Sequence, residues 1–189
     1  MIKIAGVDIS MNNLGICKAT IFQDYSIKID ELILIQPTKA DKETKKQVRK
    51  NSDDLRRLRW LYSNLHKSIE EVNLISVEIP VGSQSARAMV SYAGSIGVLA
   101  SVEKAMIEVT PTEVKLAGAG TKTATKDEMI LWATAKHPEG KWRTINRKGA
   151  KQYTRDNEHL ADALAAIYAA TKTDQFKMMM SFYNANSSK

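Results

Sequence analysis

An α/β fold on a mixed five-stranded sheet, three antiparallel strands followed by parallel ones with helices on both faces, is what this sequence predicts. Three observations carry the prediction. Short runs rich in β-branched residues fill the first 36 positions, a three-and-four-residue apolar period takes over from Asp54, and strand-like and helical runs then alternate. Runs joined by short polar breaks pair antiparallel, whereas strands separated by helices need crossover connections and pair parallel.

The first three strands are Ile2 to Ile9, Leu14 to Phe22 and Ile27 to Gln36, a meander broken by polar or glycine-containing turns. Leu55, Leu58, Leu61, Tyr62, Leu65, Ile69 and Val72 then recur as one face of an amphipathic helix. Leu74 to Ile79 reads as a buried strand stopped by Pro80 and Gly82. A second helix is expected from about Gln84 to Lys104, with Met89, Tyr92, Ile96, Leu99 and Val102 as its apolar face. Gly94 and Gly97 each cost that helix about 1 kcal/mol relative to Ala, so their use should be close packing, onto the sheet or a second subunit. Ala105 to Val109 is the fifth strand, and Thr110 to Thr112 supplies a Thr-Pro helix start. Another helix begins after Thr125, and the last runs from Asn157 to about Thr171, capped by Asn157 or Asp156. Three strands, helix, strand, helix, strand, helix, helix is the order of a ribonuclease H-like fold. The domain so defined spans residues 1–173, with a tail at 174–189 that is either a docked arm or a disordered end.

With 189 residues, 43% of them hydrophobic, the chain suffices for one domain with a real core. Its 28 Lys and Arg against 21 Asp and Glu leave a formal charge of +7, which favours a polyanionic partner. Cys17 stands alone, which excludes an internal disulfide and a structural zinc pattern. No run approaches the roughly 20 apolar residues of a membrane span, and a soluble, cytoplasmic protein is expected.

Two segments depart from this scheme. A basic arm at 38–59 carries Lys39, Lys42, Lys45, Lys46, Arg49, Lys50, Arg56, Arg57 and Arg59, and a basic loop at 136–156 carries Arg143, Arg147, Lys148 and Lys151. Trp142 and Tyr153 lie among the cations of the second, the mixture of rings and positive charge that nucleic-acid surfaces use.

The chemistry concentrates in four residues. Asp8 and Glu78 end two strand-like runs that should be adjacent and central, the usual place for functional groups in an α/β sheet. His159 and Asp162, three apart, share one helix face, while Glu158 reads only as a favourable charge at the helix amino terminus. Three carboxylates and an imidazole around one cleft suit Mg²⁺ or Mn²⁺. Two such ions about 4 Å apart can clamp a scissile phosphate. Asp8 would bridge them, Glu78 and Asp162 would complete the shells, and His159 would ligate the second ion, accept a proton from the attacking water, or both.

With these residues in place the chain resembles the RuvC family of Holliday junction resolvases, in particular its shorter, divergent bacteriophage members. The resemblance covers most of Met1 to Thr171. It rests on Ala5-Gly6-Val7-Asp8-Ile9-Ser10 with Leu14-Gly15, on Val77-Glu78-Ile79-Pro80, on Gly94 and Gly97, and on His159-Leu160-Ala161-Asp162-Ala163-Leu164-Ala165. It implies Asp8, Glu78, His159 and Asp162 as the catalytic and metal-binding set. It also implies that Lys115 and Lys126, on either side of a glycine-containing turn, approach the DNA backbone. A homodimer packed through the second helix, a four-way or branched DNA substrate, and a host-cytoplasm location for a bacteriophage-encoded member follow from the same resemblance. Where many members carry an aromatic wedge after the catalytic Glu, this chain has Val81-Gly82.

The expected function is therefore a metal-dependent, structure-selective endonuclease that resolves Holliday junctions by paired nicks. The alternatives are a broader debranching nuclease, a non-catalytic junction-binding protein, and a sugar-kinase or actin-like ATPase, whose usual second copy of the fold has no room here.

Overall fold

The computed structural model describes residues 1–38, 50–82 and 84–187. Strands β1 (Ile2–Ile9), β2 (Leu14–Ile21) and β3 (Ile27–Ile35) form the expected meander, followed by helix α1 (Lys50–Ser68), β4 (Leu74–Glu78), α2 (Ala86–Ala100) and β5 (Ala105–Val109). Then come α3 (Pro111–Ala117), α4 (Lys126–Lys136), β6 (Thr144–Arg147), β7 (Ala150–Tyr153), α5 (Asn157–Ala170) and α6 (Asp174–Ser187). The main sheet has the order β3-β2-β1-β4-β5, antiparallel on the β1, β2, β3 side and parallel from β1 through β4 to β5. This is the predicted ribonuclease H-like sheet. No helix of the described residues is long and apolar enough to cross a membrane.

Strand alternation divides the core in two. Ile2, Ile4, Cys17, Ala19, Ile21 and Leu74 face α5 and its neighbours, while Ala5, Val7, Ile9, Leu14, Ile16, Ile75 and Val77 face α1 and α2. On the α5 side, side chains are small where the helix meets the sheet. A Cβ on Gly6 would lie 1.9 Å from the carbonyl oxygen of Ala163, and one on Gly15 would lie 2.3 Å from that of His159. Only glycine lets the helix backbone rest on β1 and β2 there. The buried Ser76 hydroxyl donates to the Ala166 carbonyl at 2.7 Å and fixes the same helix to β4.

Thr110 and Thr125 cap α3 and α4 in full capping boxes with Glu113 and Glu128, and Pro111 opens the first of these helices as expected. Several other expectations are corrected. Of the basic arm, residues 39–49 lie outside the described residues, whereas 50–59 are the opening turns of α1, with Arg56 and Arg57 paired to Asp53 and the buried Asp54 paired to Arg87. Helical hydrogen bonding therefore starts before the apolar period shows. Leu55 and Tyr62 on α1, and Met89 and Ile96 on α2, are exposed rather than core; α2 buries the expected Leu99 together with Ser95 and Val98. Gly94 packs against Leu58 of α1, and nothing lies within contact of a Cβ at Gly97.

The basic loop contains a two-stranded ribbon, β6–β7, turned by Lys148 and Gly149, both at positive φ. Trp142 belongs to the core, its indole N–H donating to the His137 carbonyl at 2.7 Å, and so is no stacking surface. The tail is a docked helix: Phe176 and Met180 of α6 are fully buried, and the Met1 ammonium donates to the Tyr183 hydroxyl at 2.5 Å.

Candidate active site

The register that builds the sheet also builds the site. In the parallel β1–β4 ladder Ile4 pairs with Leu74, Gly6 with Ser76 and Val7 with Val77. Asp8 and Glu78 come next on their strands, at the carboxyl end of the sheet. By alternation both lie on the face of Gly6 and Ser76, the face covered by α5. Because Gly15 and Gly6 let α5 touch the sheet at His159 and Ala163, the His159/Asp162 face of the helix closes over Asp8. His159 Nδ1 is 2.7 Å from Asp8 Oδ2.

The electrostatics show how tightly these acids are gathered. Burial, reinforced by the negative charges of Asp8 and Asp162 and offset by Lys115, pushes the Glu78 carboxyl up to about 8. Burial and the charges of Asp8 and Glu158, against His159 and Lys126, push Asp162 up to about 7. At His159 burial is the largest single influence and opposes the charged form. The hydrogen bond and charge of Asp8, with Glu158 and Asp162, outweigh it and hold the imidazole above its ordinary value. A half-buried group of acids whose charges raise the proton affinity of Glu78 and Asp162 is under-neutralised, which is the state a divalent cation relieves. The donor set thus fits Mg²⁺ or Mn²⁺ in kind. As they stand, no three His, Cys, Asp or Glu side chains among the described residues are placed so that they could together hold a metal ion. Asp8 is engaged by His159 instead.

Two lysines lie beside this centre: Lys115 on α3 is near enough to Glu78 to lower its proton affinity, and Lys126, the first residue of α4, does the same to Asp162. Lys126 also pairs with Glu158 at 2.8 Å, and Glu158 Oε1 is 3.5 Å from His159 Nε2. Glu158 is therefore a member of the site, not merely a helix-terminal charge. Arg147, Lys148 and Lys151 stand on the exposed ribbon, while Arg143 at its base lies 3.8 Å from Asp156.

Neither Asp156 nor Asn157 caps α5 with its side chain. Asn157 is fully buried and clamps the ribbon's base: its Oδ1 accepts from the Arg143 N–H, and its Nδ2 donates to the carbonyls of Arg143 and Thr154, at 2.8 to 3.0 Å. The ribbon is thereby anchored two residues from His159. Reading Asn157 by its position at a helix start missed this, since the three acceptors and donors come from a segment without helical or strand periodicity.

No protein-family model matches the chain, and no curated protein matches it in sequence. Solved structures do match in fold. A Thermus thermophilus RuvC in complex with Holliday junction substrate superposes with a TM-score of 0.64 at 16% identity, over 96% of this chain and 97% of that one. Another Thermus thermophilus RuvC structure gives 0.55 at 16% identity over 95% and 96%. The yeast mitochondrial Holliday junction resolvase Ydc2 gives 0.58 at 10% identity over 95% and 83%. The chain therefore shares the fold of these structures over 95% or more of its length.

Proposed function

We propose that this chain is a metal-dependent, structure-selective DNA endonuclease that resolves four-way junctions by paired nicks. The observation that carries the reading is the convergence of Asp8, Glu78, Asp162 and His159 at the carboxyl end of the sheet, within a fold shared over 96% of the chain with a RuvC structure. Asp8, Glu78 and Asp162 would hold the metal, Mg²⁺ or Mn²⁺, two ions per site. Bound there, the metal supplies a nucleophile from water at neutral pH and stabilises charge on the leaving oxygen.

The chain's own residues supply the rest. His159, oriented by Asp8 through Nδ1 and with Nε2 3.5 Å from Glu158 Oε1, would take or return a proton. Lys115 and Lys126 bring positive charge to the carboxylates' edge, where the phosphate must enter. Arg143, Arg147, Lys148 and Lys151 place further cations on the ribbon for the duplex flanking the cut. The exposed Met89, Val90 and Ile96 of α2, with the open Gly97, offer the surface on which a homodimer would bring two sites to one junction. A cytoplasmic location suits a DNA-acting enzyme of this kind.

One observation favours broader selectivity. The loop after Glu78 carries Val81, exposed and aliphatic, with Gly82 at positive φ, and no aromatic ring to part stacked bases. The test is a cleavage assay with Mg²⁺ on four-way junction, flap and linear duplex. Symmetric cuts in the junction alone are expected; equal cutting of every branch makes the enzyme a debranching nuclease, and binding without cutting makes it a junction-binding protein.

A further inference from the structure

Lys126 and Glu158 meet from the first turns of two helices, and both stand on rigid roots. Lys126 opens α4, whose start is fixed by the capping box of Thr125 and Glu128. Glu158 is the second residue of α5, its N–H donating to the Arg155 carbonyl at 3.0 Å, one position before the His159 carbonyl that rests on Gly15. A cation in the first turn opposes the helix dipole, so the charge of Lys126 does nothing for α4 itself. Its Nζ lies 2.8 Å from Glu158 Oε2, and the two ends of the pair differ: the lysine side chain is 59% exposed, the glutamate 14%. Glu158 Oε2 is buried and takes no well-formed hydrogen bond from the described residues, so the charge of Lys126 is what compensates it. Among the described residues no other Lys or Arg pairs with Glu158. Arg155 and Asp156 line the cleft beside it, and Asp156 faces Arg143. An ammonium carries three donors, so one carboxylate oxygen can hold Lys126 in place and leave its exposed side to a phosphate. Held there, Lys126 also lowers the proton affinity of Asp162, which puts it at the edge of the acidic centre.

We propose that Glu158 is a positioning residue: it tethers the Lys126 ammonium at the edge of the acidic centre, so that this lysine meets the scissile phosphate and not the DNA backbone at large. The inference rests on the nuclease reading above. Untethered, the four-carbon lysine stem samples many orientations, and its compact charge pairs with whichever phosphate comes near. DNA then binds as well or better, but less of it lies with the scissile phosphate at the carboxylates. Glu158 has a second neighbour, His159 Nε2, 3.5 Å from its Oε1, and the test separates action through that ring from action through Lys126.

The experiment is a double-mutant cycle of Glu158→Gln and Lys126→Ala in the full chain on a synthetic four-way junction. It reads the single-turnover cleavage rate with Mg²⁺ at saturating protein, junction affinity without metal, and Tm. Glu158→Gln keeps the side chain's shape and removes its charge. It is expected to slow cleavage roughly 5-fold while junction affinity holds at the parent's level or tightens, because a negative charge has left the DNA face. Lys126→Ala and the double variant are expected to cut at one common rate. A further loss of the same size in the double variant would place the action of Glu158 on His159 or elsewhere and overturn the proposal. Glu158→Gln cutting at the parent rate overturns it too, as does a joint fall of its affinity and Tm, which would make Glu158 a residue of the fold. Each of these results leaves the nuclease reading standing, whereas failure of the parent to cut any branched DNA overturns both.

Discussion

The two faces of the sheet are built on opposite principles. On the α1/α2 face, large side chains such as Leu61, Leu65, Val98 and Leu99 interdigitate over Val7, Ile16 and Val77, and helices are held off by their bulk. On the α5 face, glycine, alanine and serine let a helix backbone touch the strands, and the contact points, Gly15 with His159 and Gly6 with Ala163, flank the acidic centre. The first face secures the fold; the second also sets the position of the chemistry. Damage to them should therefore read out differently.

Several changes would sharpen or break that contrast. Glu78→Gln and Asp162→Asn remove carboxylates from the centre and should each lower cleavage by roughly 10³-fold or more while junction binding, measured by gel shift, persists. Gly6→Ala forces a methyl into the Ala163 carbonyl and should cost about 3 kcal/mol or more, with kcat of the remaining folded enzyme falling as α5 moves. Leu65→Ala should cost a comparable ~2–5 kcal/mol in denaturant unfolding yet leave kcat of the folded fraction unchanged. Equal loss of kcat in both would mean the faces are not divided as described.

The pH dependence follows from the raised carboxyls. Glu78 near 8 and Asp162 near 7 keep protons in the folded, metal-free protein that the unfolded chain has already lost. Their contribution to stability is therefore full below the ordinary carboxylate range and is lost as pH rises toward about 8. A divalent ion must displace those protons, so Mg²⁺ should raise Tm more at about pH 8 than at about pH 6. A rise equal at both pH values, by thermal melt, would contradict it. The smallest effect belongs to Lys126→Ala. Its partly exposed pair with Glu158 adds little stability, and the loss should be a few-fold in DNA affinity with a shallower salt dependence by about one phosphate contact.

The four central residues were legible in the sequence because each obeys a simple rule: two carboxylates at strand ends and two groups one helical turn apart. Glu158 was not, because its role depends on Lys126 arriving from the start of another helix, a tertiary fact no local spacing encodes. The β6–β7 ribbon escaped for a different reason. Both its faces are exposed, so it lacks the apolar alternation that marks a half-buried strand, although Lys148-Gly149 is a turn signal in hindsight. The docking of α6 hangs on Phe176 and Met180, four apart, a spacing obscured by the surrounding methionines.

The most direct test of the central claim separates binding from chemistry at Asp8, the residue His159 grips. Parent and Asp8→Asn are compared on a synthetic four-way junction with Mg²⁺, following complex formation and strand cleavage in parallel. The account predicts paired symmetric nicks by the parent, and junction binding without nicks by Asp8→Asn. Cleavage by Asp8→Asn at the parent's rate would contradict it.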